Sequence, residues 1–130
     1  MLQVTCAIIV RDELVLGAQR SATMRKPLKW EFPGGKIEPG ETLEDCIRRE
    51  LKEELGIEVE LLWRGPDFPY PIDQPDIALL PFVVRITGGI LHPAEHAELR
   101  WCTREELPHL DWAEADVPVL EWWLTQSNRS

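Results

Sequence analysis

The chain has 130 residues, 44% of them hydrophobic and six of them tryptophan, and is expected to form one domain over residues 1–126, with Ser127 to Ser130 as a disordered tail. A formal charge of −9 excludes the basic footprint that holds long nucleic acid, but a small phosphorylated ligand, its charge met by a metal ion and a few placed cations, is compatible with it. No stretch approaches a membrane span, no leader pattern precedes the first apolar run, and Cys6, Cys46 and Cys102 are too widely spaced for a disulfide framework or zinc site, so a cytoplasmic protein with reduced thiols is expected.

Leu2 to Val10 is rich in β-branched residues, Arg11-Asp12-Glu13 is a turn, and Leu14 to Arg20 resumes the strand pattern, which predicts an opening hairpin. Arg20 ends the second strand and, taken alone, is an ordinary surface arginine. Ser21 to Lys29 has no clear period, carries Arg25, Lys26 and Lys29, and reads as a mobile basic flap at a substrate entrance. Trp30 to Gly34 is short and extended, with Phe32 in part a core residue. Gly34-Gly35 then lets the backbone turn tightly and come close to a ligand or ion. Lys36 follows, either solvated or placed on a phosphate.

The stretch Gly35 to Ile57, GKIEPGETLEDCIRRELKEELGI, carries the chemistry. Thr42 with Asp45 forms a capping-box pattern, so a helix is predicted to begin just after the Pro39-Gly40 turn and to stop at Gly56. At helical spacing Leu43, Cys46, Ile47, Leu51 and Leu55 share one broad face; Glu50 and Glu54 point into the same arc and Glu53 lies at its edge. Such acids repel by roughly 0.2–0.5 kcal/mol per pair on an open surface, and a helix C-terminus disfavours negative charge. Arg48 and Lys52 lie on the far side and cannot offset them. A hard divalent ion that prefers carboxylate oxygens, Mg²⁺ or Mn²⁺, can. The alternative is a solvated acidic helix.

Beyond Gly56, Ile57 to Trp63 reads as a strand, and Pro66, Pro69, Pro71 and Pro75 mark a stiff loop. Ile77 to Ile86 is a long strand in which Pro81 predicts an edge position or a bulge, and Gly88-Gly89 is a turn. Leu99 to Thr103 is a short strand, and Thr103 with Glu106 looks like a second helix start. Glu95 is a loop acid with Glu98 nearby, and His92 and His96 read as surface or loop residues. Asp116 to Gln126 is a closing helix with Pro118 in its first turn and Asp116 as a candidate N-cap; Trp112, Trp122 and Trp123 read as packing residues. Strands outnumber helices, and the main helix follows a strand and a loop. The expected fold class is therefore α/β, a mixed sheet between helices.

Gly35, five residues, Glu41, seven residues, then Arg49-Glu50-Leu51-x-Glu53-Glu54-x-Gly56-Ile57 resembles the Nudix hydrolase signature at every fixed position. Trp30-Glu31-Phe32-Pro33-Gly34-Gly35-Lys36 is similar to its MutT subgroup. Glu95-His96-x-x-Leu99-x-Trp101-Cys102 and Ala115-Asp116-Val117-Pro118-Val119-Leu120-Glu121 are similar to the CTP pyrophosphohydrolase branch. The resemblance implies the Nudix α/β/α sandwich and Mg²⁺-dependent hydrolysis of a nucleoside triphosphate to monophosphate and pyrophosphate, water attacking the β-phosphorus. Mn²⁺ can replace Mg²⁺.

It further implies that Glu50, Glu53, Glu54, Glu95 and the backbone carbonyl near Gly35 hold the metal, and that Glu53 or Glu95 acts as base. Arg49 orients carboxylates, while Glu41 and Gly56 are structural. Arg20 and Lys36 bind phosphate, Phe32 lies near the base, and Asp116 reads it, with CTP or dCTP favoured and 8-oxo-dGTP as the rival. Other diphosphate substrates, such as ADP-ribose or dinucleoside polyphosphates, and a non-catalytic nucleotide sensor are the remaining alternatives. The expected partner is a small nucleotide, with no membrane and no long nucleic acid, and the chain is expected as a monomer or weak homodimer.

Overall fold

The computed structural model describes residues 2–24, 27–69 and 76–126. Arg25 and Lys26 of the expected flap, Pro71 and Pro75 of the proline-rich loop, and the expected C-terminal tail lie outside the described residues. Strands β1 (Leu2–Arg11) and β2 (Leu14–Gln19) form the predicted hairpin, whose turn residues Asp12 and Glu13 both take positive φ, 51° and 68°. A two-residue loop of this hand matches the twist of the flanking strands. The hairpin pairs only near its turn, Val10 opposite Val15 and Arg11 opposite Leu14. Beyond that the two strands part. β1 runs parallel to β6 (Ile77–Gly89) from Leu2 opposite Ile77 to Ile9 opposite Val84, while β2 pairs with β3 (Trp30–Glu31) and β7 (Glu98–Cys102).

The glycine loop fills the opening between β1 and β2. Ala7 N donates to Pro33 O at 2.7 Å, Thr5 N to Gly35 O at 2.8 Å and Ile37 N to Gln3 O at 3.1 Å, so the segment lies along the free edge of β1. A Cβ on Gly34 would stand 2.1 Å from Thr5 O, and one on Gly35 2.2 Å from Glu50 Oε2. Against the backbone of Thr5 and Cys6 only glycine fits at Gly34, while a side chain at Gly35 would push the Glu50 carboxylate aside.

The mixed sheet runs β3-β2-β1-β6-β4, with β4 (Ile57–Arg64) antiparallel to β6 and the short β5 (Phe68–Pro69) pairing farther along it. Alternation along the strands divides the core. Ala7, Ile9, Phe82 and Val84 pack with Ile47, Leu51 and Leu55 of α1 (Leu43–Leu55); Cys6, Ile8, Leu79 and Val83 pack with Val119, Leu120 and Trp123 of α2 (Val117–Thr125). The result is the expected α/β/α arrangement. Helix α1 starts and stops as predicted: Thr42 Oγ1 accepts from Asp45 N at 3.1 Å, and Gly56 closes the helix at φ 72°. Burying a Leu or Ile side chain contributes about 1.5–3 kcal/mol, so the fully buried Ile47, Leu51 and Leu55 fix which way α1 turns its acids.

Several expectations need correction. Of the two expectations for Pro81 the edge fails, because β6 is interior with Cys6 opposite Pro81 on one side. A bulge does occur nearby, where the register of β4 on β6 shifts between Leu61 and Trp63, opposite Val84 and Val83. The Pro81 carbonyl accepts from Gly65 N at 2.8 Å, so its backbone faces the junction where β4 has ended at Arg64 and β5 has not begun. The missing N–H meets no strand there. Gly88 and Gly89 extend β6 opposite Glu58 and Ile57, and the chain turns only afterwards. Thr103 and Glu106 do form a reciprocal cap, Thr103 N to Glu106 Oε1 at 2.8 Å and Glu106 N to Thr103 Oγ1 at 3.2 Å. Only a single 3-10 turn, Leu107–His109, follows it. Among the described residues no helix is long and apolar enough to cross a membrane.

Candidate active site

The hydrophobic face of α1 seats against the sheet, and this turns Glu50 and Glu54 toward the glycine loop while Glu53 stays exposed. On the outer side, Arg49 gathers the acids. Its Nε lies 2.7 Å from Glu41 Oε2, its Nη1 lies 2.9 Å from Glu50 Oε1 and 3.3 Å from Glu53 Oε1, and its Nη2 donates to the Lys36 carbonyl at 3.1 Å. The Arg49 hydrogen bonds and the Glu38 amide lower the Glu41 carboxyl to about 2, and the same bonds raise Arg49 further above its ordinary value. Glu41 thus braces the loop through Glu38 N, 3.0 Å from its Oε1.

On the inner side lies a cavity of about 260 Å³ bordered by Arg20, Glu31, Phe32, Gly34, Glu54, Glu95 and Asp116. Burial, then the charges of Glu50 and Glu31, raise the Glu54 carboxyl well above the ordinary range. Among the described residues the only basic group within ion-pair distance of Glu54 is His96, Nε2 at 3.9 Å. Asp116 is 6% exposed and accepts from Phe32 N at 3.0 Å. Burial pushes its carboxyl up to about 8 against the opposing pull of that amide, with Glu31 raising it and Arg20 lowering it. Asp116 makes no capping bond to α2, so the N-cap reading fails: its side chain turns away from the helix to hold the backbone at Phe32.

The structure brings Arg20, Phe32, Glu54, Glu95 and Asp116 to one cavity. Phe32 also packs its ring on Trp112, centroids 4.7 Å apart. The Glu50 carboxylate lies against Gly35, and Glu50, Glu53 and Lys36 do not border the cavity. The carbonyl of Gly35 is engaged elsewhere, by Thr5 N at 2.8 Å and Thr5 Oγ1 at 3.0 Å. It is Gly34 that borders the cavity. Lys29, expected in the flap, is held 2.9 Å from Asp111, and Glu98 pairs with Arg100 outside the cavity.

His96 overturns its surface reading. It is 6% exposed, and its Nε2 meets Glu31 Oε2 at 2.8 Å, while Glu31 Oε1 is ion-paired with Arg20 Nη1. Ligand atoms of Glu31, Glu54 and His96 all lie within 4.8 Å of one another. Sequence reasoning missed Glu31 and His96 because they are 65 residues apart and belong to separate elements. The available signal was an acid inside the Trp30-Glu31-Phe32 strand and a histidine beside Glu95.

A model of the NUDIX domain matches residues 1–123 of this chain. The chain belongs to the Nudix family. It is similar to the CTP pyrophosphohydrolase of Escherichia coli K12, 40% identical over 121 residues that span 93% of this chain and 90% of that protein. It is also similar to a Mycobacterium tuberculosis protein provisionally named 8-oxo-dGTP diphosphatase 2, 39% identical over 114 residues, 87% of this chain and 81% of that one. The solution structure of the E. coli ORF135 protein superposes with a TM-score of 0.78 at 36% identity, covering 95% of this chain and 89% of that one. As a Nudix protein of the MutT-like kind, this chain is a hydrolase acting on phosphoric anhydride bonds of nucleotides. Nudix hydrolases generally need a divalent metal ion, and the acids around Glu54 offer the oxygen ligands that such an ion prefers.

Proposed function

We propose that this Nudix hydrolase converts nucleoside triphosphates, CTP or dCTP first, to the monophosphate and pyrophosphate with Mg²⁺, for which Mn²⁺ can substitute. The observation that carries this reading is one cavity lined both by acids for a metal, Glu54 and Glu95, and by a buried hydrogen-bonding carboxyl, Asp116. Glu54 from the cavity wall, with Glu50 and Glu53 from the same helix, would hold the ion. The fit rests on chemistry: Glu54 is buried beside other acids, so a proton or a cation must neutralise it. When bound, a divalent ion there would offset phosphate charge and increase the acidity of an attacking water.

The protein's own groups do the rest. Arg20 lines the cavity, where it would meet the phosphates. Glu95 is exposed yet borders the cavity, which suits it to accept the proton of the attacking water as that water adds to the β-phosphorus and the bond to the α-phosphate oxygen breaks. Arg49 fixes the carboxylates of Glu50 and Glu53 without bordering the cavity. At the base end, Asp116 Oδ1 is taken by Phe32 N, leaving the second oxygen for the nucleotide. Ionised, it accepts from the exocyclic amine of cytosine.

A second reading has its own support. With its carboxyl raised to about 8, Asp116 holds a proton at neutral pH and can donate to a purine such as 8-oxoguanine. Comparison of kcat/KM for CTP, dCTP, 8-oxo-dGTP and ADP-ribose with Mg²⁺ tests both. A cytidine nucleotide should lead the panel; 8-oxo-dGTP in the lead selects the second reading, and ADP-ribose in the lead overturns both.

A further inference from the structure

His96 is buried, and its Nε2 lies 2.8 Å from a carboxylate oxygen of Glu31. An ionised carboxylate only accepts, so the imidazole hydrogen on Nε2 is donated to Glu31. The other ring nitrogen, Nδ1, is buried with no hydrogen-bond partner among the described residues. Carrying the hydrogen there would strand a donor. The ring is fixed by its loop: His92 N donates to Leu55 O at 3.1 Å, Ala94 N to Glu54 O at 3.0 Å and Ala97 N to Gln19 O at 2.9 Å, tying the loop to the end of α1 and the end of β2. The second oxygen of Glu31 is ion-paired with Arg20, and all three side chains border the cavity.

We propose that His96 is a positioning residue: through Glu31 it holds the Arg20 guanidinium in the orientation that meets the substrate's phosphates. Arg20 has a long, flexible side chain at a strand end, and without a fixed acceptor it would spend rotamer freedom on each binding event. Glu31 supplies that acceptor, and His96 occupies the other oxygen so that the carboxylate cannot rotate away. The inference rests on the phosphate role given to Arg20 above.

The test is a double-mutant cycle between positions 96 and 20, read as KM and kcat separately on whichever phosphoanhydride of the panel the wild type hydrolyses fastest. Because the best substrate is used whatever it is, failure of the CTP reading leaves this test intact. His96→Leu removes the donor and should raise KM roughly tenfold with a smaller change in kcat, while His96→Gln, which keeps an N–H donor, should recover most of that loss. Arg20→Ala should raise KM at least as much, and His96→Leu should add nearly nothing in that background. A purely structural His96 would lower the melting temperature and the active fraction, seen in kcat, with KM unmoved. Additive effects on KM, or His96→Gln as impaired as His96→Leu, would overturn the proposal. Should His96→Leu not fold, the cycle of Glu31→Gln with Arg20→Ala asks the same of the relay, because glutamine still accepts from His96 but loses the charge that holds Arg20. Additivity there would likewise overturn it.

Discussion

Two sets of acids meet along α1 and are balanced differently. On the outer side Glu41, Glu50 and Glu53 converge on Arg49, and Glu41 is held down at about 2 by that contact. On the inner side Glu54 and Asp116, which line the same cavity, are buried, and burial raises both carboxyls. The outer set carries its own counter-charge in Arg49: Glu41 serves as a brace, and Glu50 and Glu53 are held in place for the ion proposed above. The inner set has no such counter-charge, and burial favours its neutral forms, so under the proposed function it would exchange a proton for a cation or a nucleotide base.

The largest break in this comparison should come from Glu54→Gln, which keeps shape but removes the inner charge. Hydrolysis measured as kcat/KM should fall roughly 10³-fold, while the free protein should be at least as stable as the wild type, because a neutral amide replaces a buried acid. Glu53→Gln should cost less, about 10²-fold in kcat, with the fold retained, since Glu53 is exposed and shares Arg49 with three other acids, Glu38, Glu41 and Glu50. Near-normal turnover in either variant would remove that residue from the chemistry.

The division between outer and inner acids was only partly legible in the sequence. The helix was, because Thr42, Gly56 and the spacing of Ile47, Leu51 and Leu55 are local signals, and they fix the faces on which Glu50, Glu53 and Glu54 lie. Burial created between distant segments was not. His96 looked like a loop histidine because nothing near it in sequence indicates that its loop is strapped to α1 and β2 over Glu31. Asp116 likewise stood in a good capping position, and only the arrival of β3 beside it shows that its oxygen serves Phe32 N. Pro81 was half legible for the opposite reason: a local rule about proline in strands pointed to an edge or a bulge, and the strand is interior but faces a register shift and then the end of β4.

Asp116→Asn sharpens the inner side. Asp116 has a folded value near 8 against an ordinary 3.8, so between these limits the folded state keeps a proton that the unfolded chain has lost. Stability from this residue is therefore full below about pH 4 and declines as pH rises toward about 8. Asparagine removes that slope, and thermal melts should show the variant gaining on the wild type from about pH 5 to about pH 8. If Asp116 also reads the base, the ratio of kcat/KM for CTP over 8-oxo-dGTP should move by roughly tenfold. An unchanged ratio would leave Asp116 with only its Phe32 contact.

The smallest effect belongs to the outer brace. Arg49→Lys keeps the charge but cannot reach Glu41, Glu50 and Glu53 together, so the melting temperature should drop by a few degrees at neutral pH. Glu41 is depressed, so its contribution is present above its ordinary value of 4.5 and is lost as pH falls toward about 2. The gap between variant and wild type should accordingly close in acid.

The central claim, that the inner acids await a cation, is tested most directly by the thermal shift that Mg²⁺ or Mn²⁺ produces near neutral pH in the wild type and in Glu54→Gln. An ion bound by the folded state alone raises the melting temperature with its concentration. The account predicts a clear rise for the wild type and a much smaller one for Glu54→Gln, although the metal-free variant is no less stable. No shift in the wild type, or the same shift in both proteins, would contradict it.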